Sequence, residues 1–344
     1  MPSGTGQREF EELIKPDRLG AALAEVTGDH RWSKPSWDLV RGGKSNLTFM
    51  LSSDAGDFVL RRPPTGELLP KAHDMRREAR IQAALAGSRV PVPRIVLTDD
   101  GDLIGTPCYV MERIEGPVVR DQLPPLYAGT EERRVLGHAF VDTLAAIHTT
   151  DPASIGLADF GRPEGFLERQ VGLWIRQWEQ SRTHEVSAMT ELGRRLSTRI
   201  PDHQRNAIVH GDYRLDNLVL DPTRAGVVAA VLDWELSTLG DPLTDLGLLM
   251  LFWRGPGDLE LSLIPGVSHL AGMPSRDDLL QTYADSTGTD LGDMGFYQAF
   301  AHFKFAAITQ GVLSRSRSGA AAGQDFGDLD DEVRGLAARG LEHL

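Results

Sequence analysis

Two stretches of the chain carry residue types suited to phosphoryl transfer. One is Val209-His210-Gly211-Asp212-Tyr213-Arg214-Leu215-Asp216-Asn217, the other Val231-Leu232-Asp233-Trp234-Glu235. An Asp stands five residues before an Asn, and a second Asp ends an apolar run sixteen residues after that Asn. Transfer of a γ-phosphoryl group needs little covalent help, so a site chiefly positions an in-line hydroxyl and neutralises phosphate charge. Asp212 follows the apolar Ala207-Ile208-Val209. Its carboxylate can accept a hydrogen bond from the attacking hydroxyl and take the proton late, as a catalytic base. Asn217 offers a neutral oxygen and Asp233 an anionic one, a pair that suits magnesium, a hard cation that prefers oxygens. Asp and Asn also favour turns, so a loop of this kind can arise without chemistry. The spacing, and the apolar run 227–232 ahead of Asp233, favour the chemical reading.

These residues need elements to hold them. Residues 10–26 carry apolar positions at helical spacing (Phe10, Leu13, Ile14, Leu19, Leu23, Val26) interrupted by Pro16, which predicts two short helices or one kinked helix. From Trp37 the pattern becomes β-like: 47–51 and 58–61, joined by the turn-forming 52–57, read as a hairpin. Residues 72–85 resume helical periodicity, and 94–97 and 106–111 supply two more strands. After Glu115-Gly116-Pro117 the chain is mostly helical, with segments predicted at 131–149, 165–180, 190–199, 277–286 and 296–314. A small polar loop from Ser314 to Gly323 precedes a last helix near 329–344. The expected fold class is α+β, with a small sheet lobe over 1–114 ahead of a larger, mainly α-helical lobe over 115–344.

Length and composition agree with two lobes, because 344 residues exceed the usual size of a single core. A net charge of -13, from 36 basic and 49 acidic residues, argues against nucleic acid held by phosphate contacts. An acidic surface suits a cationic substrate, but it is also an ordinary route to solubility. Cys108 is the only cysteine, so an intrachain disulfide and a cysteine metal cluster are both excluded. It sits in an apolar run and reads as a small buried hydrophobe. The first ten residues lack a basic start and apolar centre, and no segment approaches the roughly 18 apolar residues of a membrane span. A soluble, cytoplasmic protein is expected, and its oligomeric state stays open.

Taken together and in order, the motifs resemble the aminoglycoside phosphotransferase family of the protein-kinase-like fold. The carrying residues are the Gly-rich turn Gly42-Gly43-Lys44-Ser45-Asn46, the strand Phe58-Val59-Leu60-Arg61, the helix bearing Glu78, the linker Met111-Glu112-Arg113-Ile114-Glu115-Gly116 and the two motifs above. Four phrases, over 58–64, 151–170, 233–247 and 303–311, are most similar to the phosphotransferase-like domain fused ahead of certain acyl-CoA dehydrogenases. The resemblance implies a bilobal molecule with a nucleotide-binding N-terminal lobe and a catalytic, substrate-binding C-terminal lobe. It implies ATP or GTP and magnesium as cofactors and a small-molecule hydroxyl as acceptor. Gly43, Ser45 and Asn46 would meet the phosphates, and the Glu112 carbonyl and Ile114 amide the adenine.

Strand alternation puts Val59 and Arg61 on one face, Val59 to line the base pocket and Arg61 to reach phosphate and Glu78. Arg62 points the other way. The family pattern has a lysine where this chain has Arg61, a departure that puts activity in question, since arginine stays cationic but differs in length and planarity. His210 resembles a structural histidine of kinase-like loops.

Asp241 and Asp245 suit either a cationic substrate or the cap of a following helix. Trp174 and Trp178, four apart, suit either a stacked substrate or the core, as do Phe300, Phe303 and Phe305. The fused-domain likeness suggests a hydroxyacyl-CoA acceptor, for which Lys304, Arg315 and Arg317 are candidate phosphate contacts. An aminoglycoside or amino-alcohol acceptor and a nucleotide-binding pseudoenzyme are the alternatives.

Overall fold

The computed structural model describes residues 10–40, 46–65, 73–202, 205–264, 266–317 and 329–344. The opening helix breaks as Pro16 predicts. Residues 10–14 are helical, Lys15 turns the chain at φ 44°, and helix α1 (Pro16–Thr27) begins on the proline. A first-turn amide has no helical acceptor, so proline loses nothing there.

Five antiparallel strands follow: β1 (Ser36–Leu39), β2 (Leu47–Ser53), β3 (Gly56–Arg62), β4 (Ile95–Asp100) and β5 (Pro107–Glu112). Their spatial order is β1-β2-β3-β5-β4. Helix α2 (Met75–Leu85) lies between β3 and β4 in sequence and starts on Asp74, whose side chain accepts from the Arg77 amide. Alternation along β3 and β5 divides the core. Leu60 and Val110 pack with Phe49, Cys108 and the α1 residues Leu19 and Leu23. Val59, Tyr109 and Met111 pack on the other face with Met75 and Ala79 of α2. Burial pushes the Cys108 thiol up to about 12, in keeping with a small core residue. Arg62 is buried and donates to the Leu13 carbonyl at 2.8 Å, so its charge serves packing.

The chain divides into two compact units, Met1–Glu115 with Ala230–Glu235, and Gly116–Ala229 with Leu236–Leu344. The expected boundary at 114/115 does not foresee that 230–235 groups with the first unit. The second unit holds α3 (Thr130–Thr149), α4 (Phe166–Ser181), α5 (Ser187–Thr198), β6 (Ala207–Val209) and β7 (Leu218–Leu220). Strand β8 (Val228–Val231) begins in this unit and passes into the first. Then come β9 (Thr238–Gly240), α6 (Leu243–Phe252), α7 (Arg276–Thr287), α8 (Met294–Arg317) and α9 (Leu329–Glu342). Strands β6 and β9 pair antiparallel, with Val209 opposite Thr238.

Helix α8 packs against α4, α5, α6 and α9, and Phe300, Phe303 and Phe305 on it are all buried. A helix enclosed on every side carries no polar stripe. Trp178 is likewise core, so the packing reading holds for these aromatics. Among the described residues, no helix is long and apolar enough to cross a membrane.

Candidate active site

In the first unit, β3 and α2 bring Arg61 to Glu78. Arg61 Nη1 lies 3.2 Å from Glu78 Oε1, and Nη2 lies 3.2 Å from Asp233 Oδ1. The planar guanidinium forks between two carboxylates, an arrangement a compact ammonium does not reproduce. Glu78 is 1 % exposed, so it is no surface charge of its helix. Burial pushes its carboxyl up to about 7 despite the neighbouring Arg61. Burial also works against the Arg61 charge, but Tyr109, Glu78, Asp233 and Glu235 outweigh it and hold the guanidinium firmly protonated.

Asp233 has φ 62°, a left-handed backbone that a non-glycine residue adopts at a cost of about 1 kcal/mol or more. The next residue anchors this turn: Trp234 is fully buried and its Nε1 donates to the Val231 carbonyl at 3.1 Å. Asn46 is buried, its Nδ2 donating to Glu235 Oε2 at 3.0 Å and its Oδ1 standing 2.8 Å from His73 Nδ1. Its side chain is therefore engaged by protein. Gly43 and Ser45 lie outside the described residues. Val59 shares the α2-facing cluster. Glu112 ends β5 with its amide on the Arg94 carbonyl at 2.9 Å, and Ile114 follows two residues later, half-buried.

In the second unit, β6 delivers the loop that carries Asp212. Both peptide groups ahead of Asp212 are clamped by one side chain: Asp245 Oδ2 accepts from the His210 amide at 2.6 Å and Oδ1 from the Gly211 amide at 2.8 Å. Burial by itself would raise the Asp245 carboxyl. Its hydrogen bonds with His148 and the loop outweigh that and hold it below its ordinary value. His148 is fully enclosed and kept neutral by burial. Its Nε2 lies 3.2 Å from Asp245 and its Nδ1 2.7 Å from the Tyr283 hydroxyl, a neutral ring donating to the acid and accepting from the phenol. His210 is buried, and its Nδ1 accepts from the Asp212 amide at 3.3 Å, in line with the structural role expected of it. Gly211 has φ +87°, and a Cβ there would stand 2.8 Å from the Leu236 carbonyl oxygen. Only glycine fits that turn without strain.

Lys304 of α8 holds the next peptide group, Nζ donating to the Gly211 carbonyl at 3.1 Å and lying 5.5 Å from the Trp174 ring centroid. Burial lowers the Lys304 ammonium below the ordinary lysine value, against the pull of Asp212 and Asp245. The Asp212 carboxylate is 31 % exposed, with Oδ1 3.0 Å from Arg214 Nε. Asn217 Nδ2 donates to the Asp212 carbonyl at 2.8 Å and lies 3.3 Å from its Oδ2. With the nitrogen so engaged, Asn217 Oδ1 remains as the acceptor that a cation can use.

The donor chemistry fits magnesium. In the second unit Asn217 keeps a neutral oxygen, and in the first Asp233 keeps a carboxylate 32 % exposed, each a donor type that a hard cation accepts. Among the described residues no cluster of three or more His, Cys, Asp or Glu forms a metal cage.

The sequence reading does not foresee Asp245 and Lys304 in these roles. Asp241, not Asp245, serves the helix start, accepting from the Leu243 amide at 3.0 Å and from the Tyr297 hydroxyl at 2.8 Å. Lys304 is committed to a loop carbonyl, and Arg317 pairs with Asp330 and reaches Thr183, so these two do not stand as an open phosphate patch.

A sequence model of the phosphotransferase enzyme family matches residues 36–291. Acyl-CoA dehydrogenase family member 11 of Homo sapiens is 35% identical over 353 residues, covering 99% of this chain and 45% of that protein. The chain thus spans less than half the length of that curated relative. A crystal structure from Ralstonia eutropha, of a protein assigned to the aminoglycoside phosphotransferases, shares 36% identity at TM-score 0.78, covering 90% of this chain and 92% of its own. Aminoglycoside phosphotransferase APH(4)-Ia, solved in a ternary complex with ADP and hygromycin B, is 15% identical at TM-score 0.59, covering 94% of this chain and 98% of its own. At that identity the likeness speaks for the fold alone.

Proposed function

The chain belongs to the phosphotransferase enzyme family, with the α+β fold of its kinase-like members, and from that premise we propose an ATP- and magnesium-dependent O-phosphotransferase acting on a small-molecule hydroxyl. The observation that carries the reading is the Asp212 loop. A partly exposed carboxylate stands on a segment whose amides are held by Asp245 and whose carbonyl is held by Lys304. Preorganisation of this kind is what a reaction governed by positioning requires. Asp212 is the base: it accepts the hydrogen bond of the acceptor hydroxyl, orients its oxygen, and takes the proton as the new O–P bond forms. Asn217 through Oδ1 and Asp233 through its carboxylate would hold magnesium, which when bound neutralises the phosphate charge that builds up on transfer. Arg61 supports the nucleotide phosphates in place of the usual lysine, and Val59 and the Glu112–Ile114 main chain line the base site. Gly43, Ser45 and Asn46 complete the phosphate contacts through main-chain groups.

For the acceptor we favour a hydroxyacyl-CoA or a related hydroxylated metabolite. The support is that the matched relative is named for acyl-CoA dehydrogenation, although this chain covers only part of it. Aminoglycosides or amino-alcohols form the second acceptor class, supported by the assignment of the 36% identical Ralstonia eutropha protein to the aminoglycoside phosphotransferases. A nucleotide-binding pseudoenzyme is favoured by one observation, the Arg61 contact to Asp233. ADP release measured with hydroxyacyl-CoAs, aminoglycosides and amino-alcohols, in wild type and Asp212→Ala, tests all three. Turnover that falls by about three orders of magnitude in Asp212→Ala with nucleotide affinity retained is the expected result. Unchanged turnover in that variant removes Asp212 from its role, and nucleotide binding with no ADP from any acceptor would establish the pseudoenzyme.

A further inference from the structure

The second unit contains a cavity of about 140 Å³ that the phosphotransfer site does not use, walled by parts of α6, α7, α8 and α9. That space is ample for a phosphate group. Three arginines, Arg254, Arg276 and Arg339, and two histidines, His302 and His343, are among its lining residues. Such a concentration of cationic and protonatable groups stands out in a chain of net charge -13.

The carboxylates at the cavity account for only part of that charge. Asp258 holds Arg276 at 2.6 Å, and Arg276 also donates to the Met250 carbonyl. Glu342 holds Arg339 at 3.2 Å. Arg254 donates to the Ile264 carbonyl at 3.3 Å, while its Nε is buried without a hydrogen-bond partner among the described residues. A buried guanidinium N–H left unpaired is costly, and an anionic oxygen would satisfy it. The imidazole rings are 5.1 Å apart, and His302 Nδ1 is tied to the Gln298 carbonyl at 2.7 Å. Burial lowers His302 to about 4, with His343, Arg276 and Arg339 adding to the effect, so all four groups share one field.

The geometry points to a phosphate-monoester binding site in this cavity, distinct from the Asp212 loop, with Arg254 and Arg339 as its principal donors. Arginine is suited to this because its planar fork meets two phosphate oxygens at once. An anion seated among the four groups would favour the protonated imidazoles, so binding draws protons toward His302 and His343. The ligand chemistry is shared by free phosphate and by the ribose phosphate of coenzyme A.

Histidine-resolved NMR of the full chain tests this with inorganic phosphate, coenzyme A and dephospho-coenzyme A, using sodium chloride at matched ionic strength as control. Saturable shifts of the His302 and His343 ring signals are expected with phosphate or coenzyme A, and in Arg339→Gln the apparent Kd rises about ten-fold, near 1.4 kcal/mol. Arg339 is 54% exposed, so this variant is expected to fold even where Arg254→Gln does not. Coenzyme A acting where its dephospho form does not identifies the ribose phosphate as the ligand, whereas phosphate acting alone identifies the free anion. Ring signals unmoved by every phosphate, shifts matched by chloride, or an unchanged Kd in Arg339→Gln would overturn the site.

Discussion

Glu78 and Asp245 are both carboxylates almost without solvent contact, at 1 % and 0 % exposure, yet the two units treat them in opposite ways. Asp245 receives two main-chain amides and the His148 ring, and these donors hold its carboxyl below the ordinary range. Glu78 faces a single guanidinium that is shared with Asp233, and burial raises it to about 7. Backbone donors are fixed by the fold and cannot re-pair without unfolding a loop. A side-chain cation can swing to a new partner at little cost. The contrast separates a loop held by fixed backbone donors from a cation free to change partners.

The contrast breaks most sharply at Asp245. Asp245→Ala leaves two amides and a neutral imidazole without their acceptor, a loss of about 3–5 kcal/mol in urea unfolding. A loss under about 1 kcal/mol would show that the loop does not depend on this clamp. A smaller effect concerns pH, where the two carboxylates have opposite signs. The folded-state value of Glu78 is raised from 4.5 to about 7, so its contribution to stability is fully present below 4.5 and is lost as pH rises through 7. Asp245 is depressed below 3.8, so its contribution is present above that value and is lost only as pH falls through the lower folded value. Between pH 5 and 8 only Glu78 of the two changes, and wild type should lose about 2 kcal/mol relative to Glu78→Gln over that window. Parallel stability-pH curves for the two proteins would refute the assignment to Glu78.

Much of this organisation is legible in the residues. Period-two alternation in 47–51 and 58–61 marks the hairpin that becomes β2 and β3, and it places Val59 and Arg61 on the face opposite Leu60 and Arg62. Helical periodicity marks α3, α4 and α7 because each has a wet face. The same rule fails for α6, buried along nearly its whole length, where the run 246–252 carries no polar period to read. It fails again for Lys304, since α8 is enclosed on all sides and nothing local says which loop a lysine on it will meet. Asp241 and Asp245 lie four apart in one phrase and both suit a cap. Only tertiary contacts assign one to Leu243 and Tyr297 and the other to His210 and Gly211. The grouping of 230–235 with the first unit is a long-range property that an apolar run ending in Asp233 cannot reveal.

Lys304 provides the finest test of the contrast, because it is a side-chain cation acting on the loop whose amides Asp245 holds. It grips the Gly211 carbonyl while Asp245 grips the Gly211 amide, so the peptide groups on either side of Gly211 are both held. A hydrogen bond from a charged donor contributes about 1.5–3 kcal/mol, and part of that is offset here by the burial that lowers the Lys304 ammonium. The net expected effect of Lys304→Met is local opening of the loop favoured by roughly 1.4 kcal/mol, which is a ten-fold faster amide exchange over residues 209–213. Global stability should fall by no more than this. Lys304→Arg keeps a donor and a cation, so it should restore most of the protection if the lysine acts by holding the carbonyl. Exchange that stays at the wild-type rate in Lys304→Met would mean that the Asp245 clamp fixes the loop without help from Lys304.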